Sequence, residues 1–265
     1  MAEKIRIGAL ISGGGTNLQA IIDSCESGKI DARIVFVGSD NPEARGLERA
    51  KKHGIPSFVV PYSEIIRNCR EYPETLRLPA DFHMEDVLSK QHFFPPGPRK
   101  KMEDFFSSRV MAESMLLGKM AGFPFDLLVL AGFMRSLTPY FIDKVNTDPD
   151  RPRIMNIHPS LLPAFPGSDG YGDTFRYGCK IGGCTVHFID YGEDSGPIIG
   201  QQAFPIHEND TIDSIKKRGL ELEWSLYPAC IQLFARNRLR LARETFRIDD
   251  KRTIQRTIVH ILAAR

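Results

Sequence analysis

Asn156 and His158 stand two residues apart in the run Ile-Met-Asn-Ile-His-Pro-Ser that begins at Ile154. Side chains two apart on a β-strand share a face, so both project the same way, and Pro159 closes the strand just beyond them. Downstream, residues 190–197 read Asp-Tyr-Gly-Glu-Asp-Ser-Gly-Pro, a turn-forming stretch that holds a carboxylate, Asp194, where it can orient an imidazole. An amide N–H and a protonated imidazole are two donors suited to the oxyanion that forms when a nucleophile attacks a carbonyl carbon. A neighbouring carboxylate favours the imidazolium and helps carry away the proton that the nucleophile sheds. This chemistry needs no metal ion. A lone strand-end histidine is more often structural than catalytic; its company is what makes His158 a candidate. His187 falls in a neighbouring apolar run and is assigned a structural hydrogen-bonding role. His53, His83, His92, His207 and His260 have no motif around them.

A second chemical feature is the turn Ser12-Gly13-Gly14-Gly15-Thr16-Asn17. It joins a buried strand to a helix start, where unpaired backbone N–H groups and the helix dipole favour an anion and glycines let a phosphate come close. No lysine follows the glycines, so this is not a nucleotide-triphosphate loop. Asp40 lies where a dinucleotide fold would place its ribose-binding acid, but Leu18 occupies the third glycine position of such a motif. A single phosphate monoester fits better.

Positioning these groups requires a parallel sheet. Ile5 to Ile11 is an unbroken apolar run, as expected of a strand buried on both faces, and Leu18, Ile21 and Ile22 follow at helical spacing. Ile34 to Val37 supplies the next strand, Pro42 to His53 a helix closed by Gly54, and Ser57 to Val60 and Leu127 to Leu130 further strands. Cys184 to Ile189 is another, and Asp210 to Phe234 a long helix capped by Thr211. The expected fold class is α/β, a doubly wound, mostly parallel twisted sheet with helices on both faces. Ligands in such folds bind at the carboxyl ends of the strands, where Asn156 and His158 sit.

Residues 1–240 are expected to form one domain with a proline-rich insertion near 69–101, rigid rather than helical, followed by a helix over Met102 to Met120. Residues 241–265 are expected to form a C-terminal helical extension, from Ile254, Ile258, Ile261 and Leu262. Nearly balanced charge, 35 basic against 33 acidic residues, gives no bulk field for nucleic acid or an anionic membrane. Five cysteines without a C-x-x-C pair suit a reducing, cytoplasmic setting, and no apolar run is long enough to span a bilayer.

The motifs Asn156-Ile157-His158-Pro159-Ser160-Leu161-Leu162-Pro163, Gly183-Cys184-Thr185-Val186-His187-Phe188 and Asp194-Ser195-Gly196-Pro197 resemble the folate-dependent formyltransferase superfamily. Ser12 to Gln19 and Leu130-Ala131-Gly132-Phe133-Met134-Arg135 are similar to its phosphoribosylglycinamide formyltransferase branch, and the likeness runs from about Ile5 to Arg238. The resemblance implies formyl transfer from 10-formyltetrahydrofolate, a co-substrate, to the amine of 5'-phosphoribosylglycinamide in de novo purine biosynthesis. It implies that Gly15, Thr16 and Asn17 hold the substrate phosphate and that Glu223 contacts the ribose or glycinamide end. Met134, Arg135, Ser136 and Leu137 would line the folate pocket with Asn156, which meets the formyl oxygen. His158 would be the acid, charged by Asp194, and the Leu162-Pro163 bond would be cis. Arg99, Lys100 and Lys101 are candidates for a basic contact to folate. Two other branches are not expected. About 25 residues follow Arg240, too few for the RNA-binding barrel of methionyl-tRNA formyltransferases, and the first strand at Ile5 leaves no room for the regulatory domain of formyltetrahydrofolate deformylases.

Overall fold

The computed structural model describes residues 4–95 and 97–263, so Pro96 of the proline-rich stretch and the last two residues of the C-terminal extension lie outside the described residues. A seven-stranded sheet in the order β3-β2-β1-β4-β5-β6-β7 forms the centre. Its strands are β1 (Ile5–Ile11), β2 (Ala32–Ser39), β3 (Ser57–Val59), β4 (Leu127–Leu130), β5 (Ile154–His158), β6 (Ile181–Phe188) and β7 (Ile198–Pro205). The first five run parallel, while β6 pairs antiparallel with β5 and β7 with β6. The doubly wound α/β expectation holds; β7 had no clear apolar signal, because its alternation of buried and exposed residues marks an edge strand.

Period-two alternation divides the core between the two faces of the sheet. Ile7, Ala9, Ile11, Leu127, Val129, Met155 and Ile157 point to the layer formed by α1 (Thr16–Glu26) and the long α8 (Ile212–Ala235). Leu10, Leu128, Leu130 and Ile154 point to the opposite layer. There they meet α3 (Tyr62–Glu71), α5 (Arg99–Met120) and α6 (Pro139–Val145). Asn156 and His158 have the parity of Ile154, as the two-residue spacing demands. Tyr227 on α8 crosses beneath the strand ends, its hydroxyl donating to Met155 O at 2.7 Å with Leu130 O at 3.2 Å. This buried bond fixes the carboxyl ends of β4 and β5, the strands that carry the candidate site.

Short α2 (Gly46–Lys52) completes the second crossover. Gly15, at φ 69°, is the turn into α1, and a Cβ there would lie 2.7 Å from Gly46 Cα, so both backbone sign and packing require glycine. The insertion is more helical than its prolines suggest: α3 is followed by a 3-10 turn at Pro73–Thr75 and α4 (Met84–Lys90), and α5 begins at Arg99 rather than Met102. Pro98 is its N-cap, where a missing N–H costs nothing. The glycine-rich stretch after Pro166 forms α7 (Gly170–Arg176).

The expected C-terminal helix is a correction. Residues 239–261 form an antiparallel hairpin, β8 (Leu239–Arg247) with β9 (Thr253–Ile261). Leu239 and Leu241, two apart on β8, pair with Ile261 and Val259 of β9, and the β-branched side chains of β9 prefer an extended backbone. Ile254, Ile258, Ile261 and Leu262 do fall at helical spacing, and pairing between the two strands overrides it. Leu239, Leu241 and Val259 anchor the hairpin on the layer containing α8.

Candidate active site

A cavity of about 380 Å³ opens at the carboxyl ends of β1, β4 and β5. Asn156 and His158 reach it from β5, and Asp194 from the loop between β6 and β7. Asp194 adopts φ 49°, uncommon for a residue other than glycine but tolerated by Asp, and this turns its carboxylate back toward β5. His158 Nδ1 lies 3.1 Å from Asp194 Oδ2, while its Nε2 lies 2.8 Å from Phe165 O. Each ring nitrogen therefore faces an acceptor, an arrangement that the imidazolium with two N–H donors satisfies at both ends. Asp194 Oδ2 also accepts the Gly167 N–H at 2.8 Å, so the loops on either side of the histidine share one carboxylate. Gly170 allows α7 to approach, since a Cβ there would lie 2.6 Å from Pro159 O and 3.1 Å from His158 Nε2.

His187 pairs with Asn156 across the β5–β6 ladder and is fully buried. Its Nδ1 is 2.9 Å from Phe188 O, which only an N–H can meet, leaving Nε2 as an acceptor 3.2 Å from Asn156 Nδ2. Burial lowers the His187 pKa, opposed by Asp194, whose Oδ1 is 3.6 Å from Nε2. A neutral His187 thus dictates which way the Asn156 amide faces. The structural role expected for His187 acquires a specific target.

At one end of the cavity Glu223, only 4% exposed, accepts from Asn17 Nδ2 and from Tyr171 OH, each at 2.6 Å. Burial raises its pKa, and the Asn17 and Tyr171 bonds lower it. Asn17 Oδ1 is buried with no hydrogen-bond partner. Asn17 lines the cavity; Gly15 and Thr16 do not, but they belong to the same helix N-terminus, whose first N–H groups lack intrahelical acceptors. Lys216 and Leu220 share the cavity face of α8 with Glu223, at helical spacing, and Lys216 Nζ lies 3.6 Å from Asp169 Oδ1. Tyr171 and Lys216 escaped sequence reading, because nothing short of α7 packing on α8 brings them to the site.

Met134, Arg135, Ser136 and Leu137 line the other end with Leu130, Phe133 and Ile189. The Met134 N–H donates to Ser12 Oγ at 2.8 Å, and Ser12 N–H to Gly132 O at 3.0 Å, tying this turn to the glycine-rich turn. Arg135 is ion-paired with buried Asp40 and bonded to Ser63. Asp40 thus serves this turn and does not face a ribose. Thr138 caps α6, and fully buried Glu113 on α5 accepts from its N–H and hydroxyl; burial pushes the Glu113 pKa up to about 8. Arg99, Lys100 and Lys101 are not brought to the cavity: Arg99 pairs with Glu85 and Glu103, and Lys100 with Asp104. Phe93, from the insertion, does line it. The Leu162-Pro163 bond is cis, as the resemblance implied. Among the described residues no group of three or more His, Cys, Asp or Glu is arranged to hold a metal ion, and no helix is long and apolar enough to cross a membrane.

A model of the formyl transferase family matches residues 5–231. The phosphoribosylglycinamide formyltransferase of Haemophilus influenzae is 34% identical over 93% of this chain and 94% of its own length. The bovine trifunctional purine biosynthetic protein adenosine-3 is 33% identical over 90% of this chain, which spans 19% of that longer protein. Among solved structures, glycinamide ribonucleotide transformylase 1 from Symbiobacterium toebii superposes with a TM-score of 0.69 at 34% identity, covering 99% of this chain and 96% of the other.

Proposed function

The chain belongs to the formyl transferase family and is a formyl-transferring enzyme of purine biosynthesis, and on that premise we propose that Asn156, His158 and Asp194 carry the transfer from 10-formyltetrahydrofolate to the amine of 5'-phosphoribosylglycinamide. The observation that carries this reading is the convergence of those three side chains midway along one cavity. A helix N-terminus and a buried glutamate stand at one end, and an apolar turn at the other.

The phosphate is held by the N–H groups of Gly15, Thr16 and Asn17 at the start of α1, where the helix dipole favours it, and Lys216 adds a cation on the same side. Glu223, fixed by Asn17 and Tyr171, accepts from the ribose or the glycinamide amine. The turn at Met134, Arg135, Ser136 and Leu137 receives the folate, presenting its formyl group to Asn156. The amine nitrogen then attacks the formyl carbon, and the carbonyl electron pair moves onto oxygen. Asn156, aimed by His187, offers an amide N–H to that oxyanion, and His158 exchanges its bond with the Phe165 carbonyl for a second. Collapse breaks the carbon bond to N10 of the folate. One proton passes overall from the attacking amine to the departing N10, with His158 as the carrier and Asp194 compensating its charge.

We read residues 1–240 as the catalytic domain with 69–101 inserted, and the cytoplasm as the compartment, since all five cysteines are free thiols. Incubation with 5'-phosphoribosylglycinamide and 10-formyltetrahydrofolate, without ATP, tests the reading. Formylated glycinamide ribonucleotide and tetrahydrofolate in equal amounts are expected, and strict dependence on formate and ATP would refute it.

A further inference from the structure

Among the described residues of the insertion between β3 and β4, Phe93 lines the cavity. The chain bends at Phe93 and Phe94, and the bend separates the two rings. Phe94 turns inward, its ring centroid 4.7 Å from that of Phe105 and 6.0 Å from that of Phe106, both nearly edge-on. Phe93 is half-buried and lines the cavity, as do Phe133, Met134 and Ile189.

This placement is held firmly. Lys90 Nζ lies 2.7 Å from Asp143 on α6, whose other carboxylate oxygen accepts from the Tyr191 hydroxyl. The His92 N–H donates to Tyr191 O at 2.8 Å, and the Phe94 N–H to Gln91 Oε1 at 2.9 Å. Tyr191 belongs to the loop that bears Asp194. The same contacts therefore fix Phe93 relative to the catalytic carboxylate, and its ring needs little ordering when a ligand arrives.

On the reading given above, we propose that Phe93 is a binding residue for the formyl donor, packing its ring against the planar aromatic part of the reduced folate. Three observations select that ligand. Phe93 follows His92, whose N–H is held by Tyr191 of the loop that bears Asp194, whereas the phosphorylated amine is placed at Glu223 and Lys216 on α8. The loop whose Tyr191 carbonyl holds the His92 N–H also brings the anions Asp190 and Glu193 to the cavity, which disfavour a phosphate there. A flat ring on a fixed backbone offers edge-to-face or offset contact with a planar heterocycle at little entropic cost. The donor is the one substrate of this reaction with such a ring system.

The test compares wild type with Phe93→Ala, Phe93→Leu and Phe93→Trp by steady-state kinetics for each substrate and by calorimetric binding of tetrahydrofolate alone. Phe93→Ala is expected to raise the KM for 10-formyltetrahydrofolate and the Kd for tetrahydrofolate about tenfold. The KM for the phosphorylated amine and kcat should stay within about twofold. Phe93→Trp should restore binding, with Phe93→Leu intermediate. Phe94→Ala, which removes the inward anchor, should instead lower the thermal midpoint. Unchanged tetrahydrofolate affinity in Phe93→Ala overturns the inference while leaving the parent reading intact. So does a parallel loss of stability and of affinity for both substrates in the Ala and Leu variants. Wild-type protein that neither binds tetrahydrofolate nor forms product removes the parent reading and this inference together.

Discussion

His187→Phe isolates the step by which the fold aims Asn156. The substitution fills the buried site with a ring of similar shape and removes one acceptor, Nε2, from its place 3.2 Å from Asn156 Nδ2. The Phe188 carbonyl, opposite Pro197 with its missing N–H, loses its His187 partner and costs stability, while the consequence for catalysis falls on the Asn156 amide, which has broad, nearly two-fold torsional freedom once its anchor is gone. The lower bound on the loss is the net value of one hydrogen bond, about 1 kcal/mol or roughly fivefold in kcat. The upper bound is removal of an oxyanion donor, on the order of 10² to 10³. A loss of roughly tenfold to a hundredfold in kcat is expected, with both KM values within about threefold, because the phosphate and folate ends of the cavity are untouched. His187→Gln, which can return an acceptor oxygen near the Nε2 position, should lose less. Steady-state kinetics with both substrates varied, together with thermal unfolding to confirm that the buried substitution folds, make the measurement. The decisive comparison is the double mutant: in an Asn156→Ala background there is no amide to aim, so His187→Phe should cost almost nothing further. Full kcat in His187→Phe, or losses that multiply in the double mutant, would show that His187 does not act through Asn156.

His158→Ala should lower kcat by about 10² to 10⁴ with substrate binding retained, and adding Asp194→Asn should make it scarcely worse, since both act on one proton and one oxyanion; multiplied losses in single-turnover assays would break that unit apart. Tyr171→Phe removes a bond that lowers the Glu223 pKa. The KM for the phosphorylated amine should therefore rise about five- to tenfold, and the acid limb of kcat/KM for that substrate should move to higher pH; an unmoved limb would place Glu223 outside substrate binding. Glu113→Gln tests the buried carboxyl beneath the folate turn. Its folded pKa of about 8 lies above the ordinary 4.5, so the stability tied to the protonated form is complete below pH 4.5 and is lost as pH rises through 8. At about 1.4 kcal/mol per pH unit that loss is at most about 5 kcal/mol. Denaturant titrations should show wild type losing stability across this window and Glu113→Gln nearly flat, and parallel profiles would contradict the assignment.

Local covalent order was enough to read much of this protein. The two-residue spacing of Asn156 and His158, with Pro159 behind them, fixes a shared face and a strand end whatever the rest of the chain does. Ile5 to Ile11, the glycines after it and the helical spacing of Leu18, Ile21 and Ile22 dictate a buried strand, a turn and a helix N-terminus by sterics and periodicity alone. The C-terminal segment departs from its helical expectation because the spacing of its apolar residues is a local pattern, and pairing with a partner strand, which no local window contains, overrides it. The same limit hid the partners of the chemical groups. Tyr171 meets Glu223 across 52 residues, Asn17 meets it across 206, and Arg135 pairs with Asp40 across 95. Such contacts arise from how helices pack on the sheet, which depends on the whole core. Which nitrogen of His187 is free, and so which way Asn156 faces, is decided by the antiparallel register of β5 and β6. Residue types showed what chemistry is available, and tertiary packing decided which atoms perform it, because burial and long-range hydrogen bonds exist only once the sheet has closed around them.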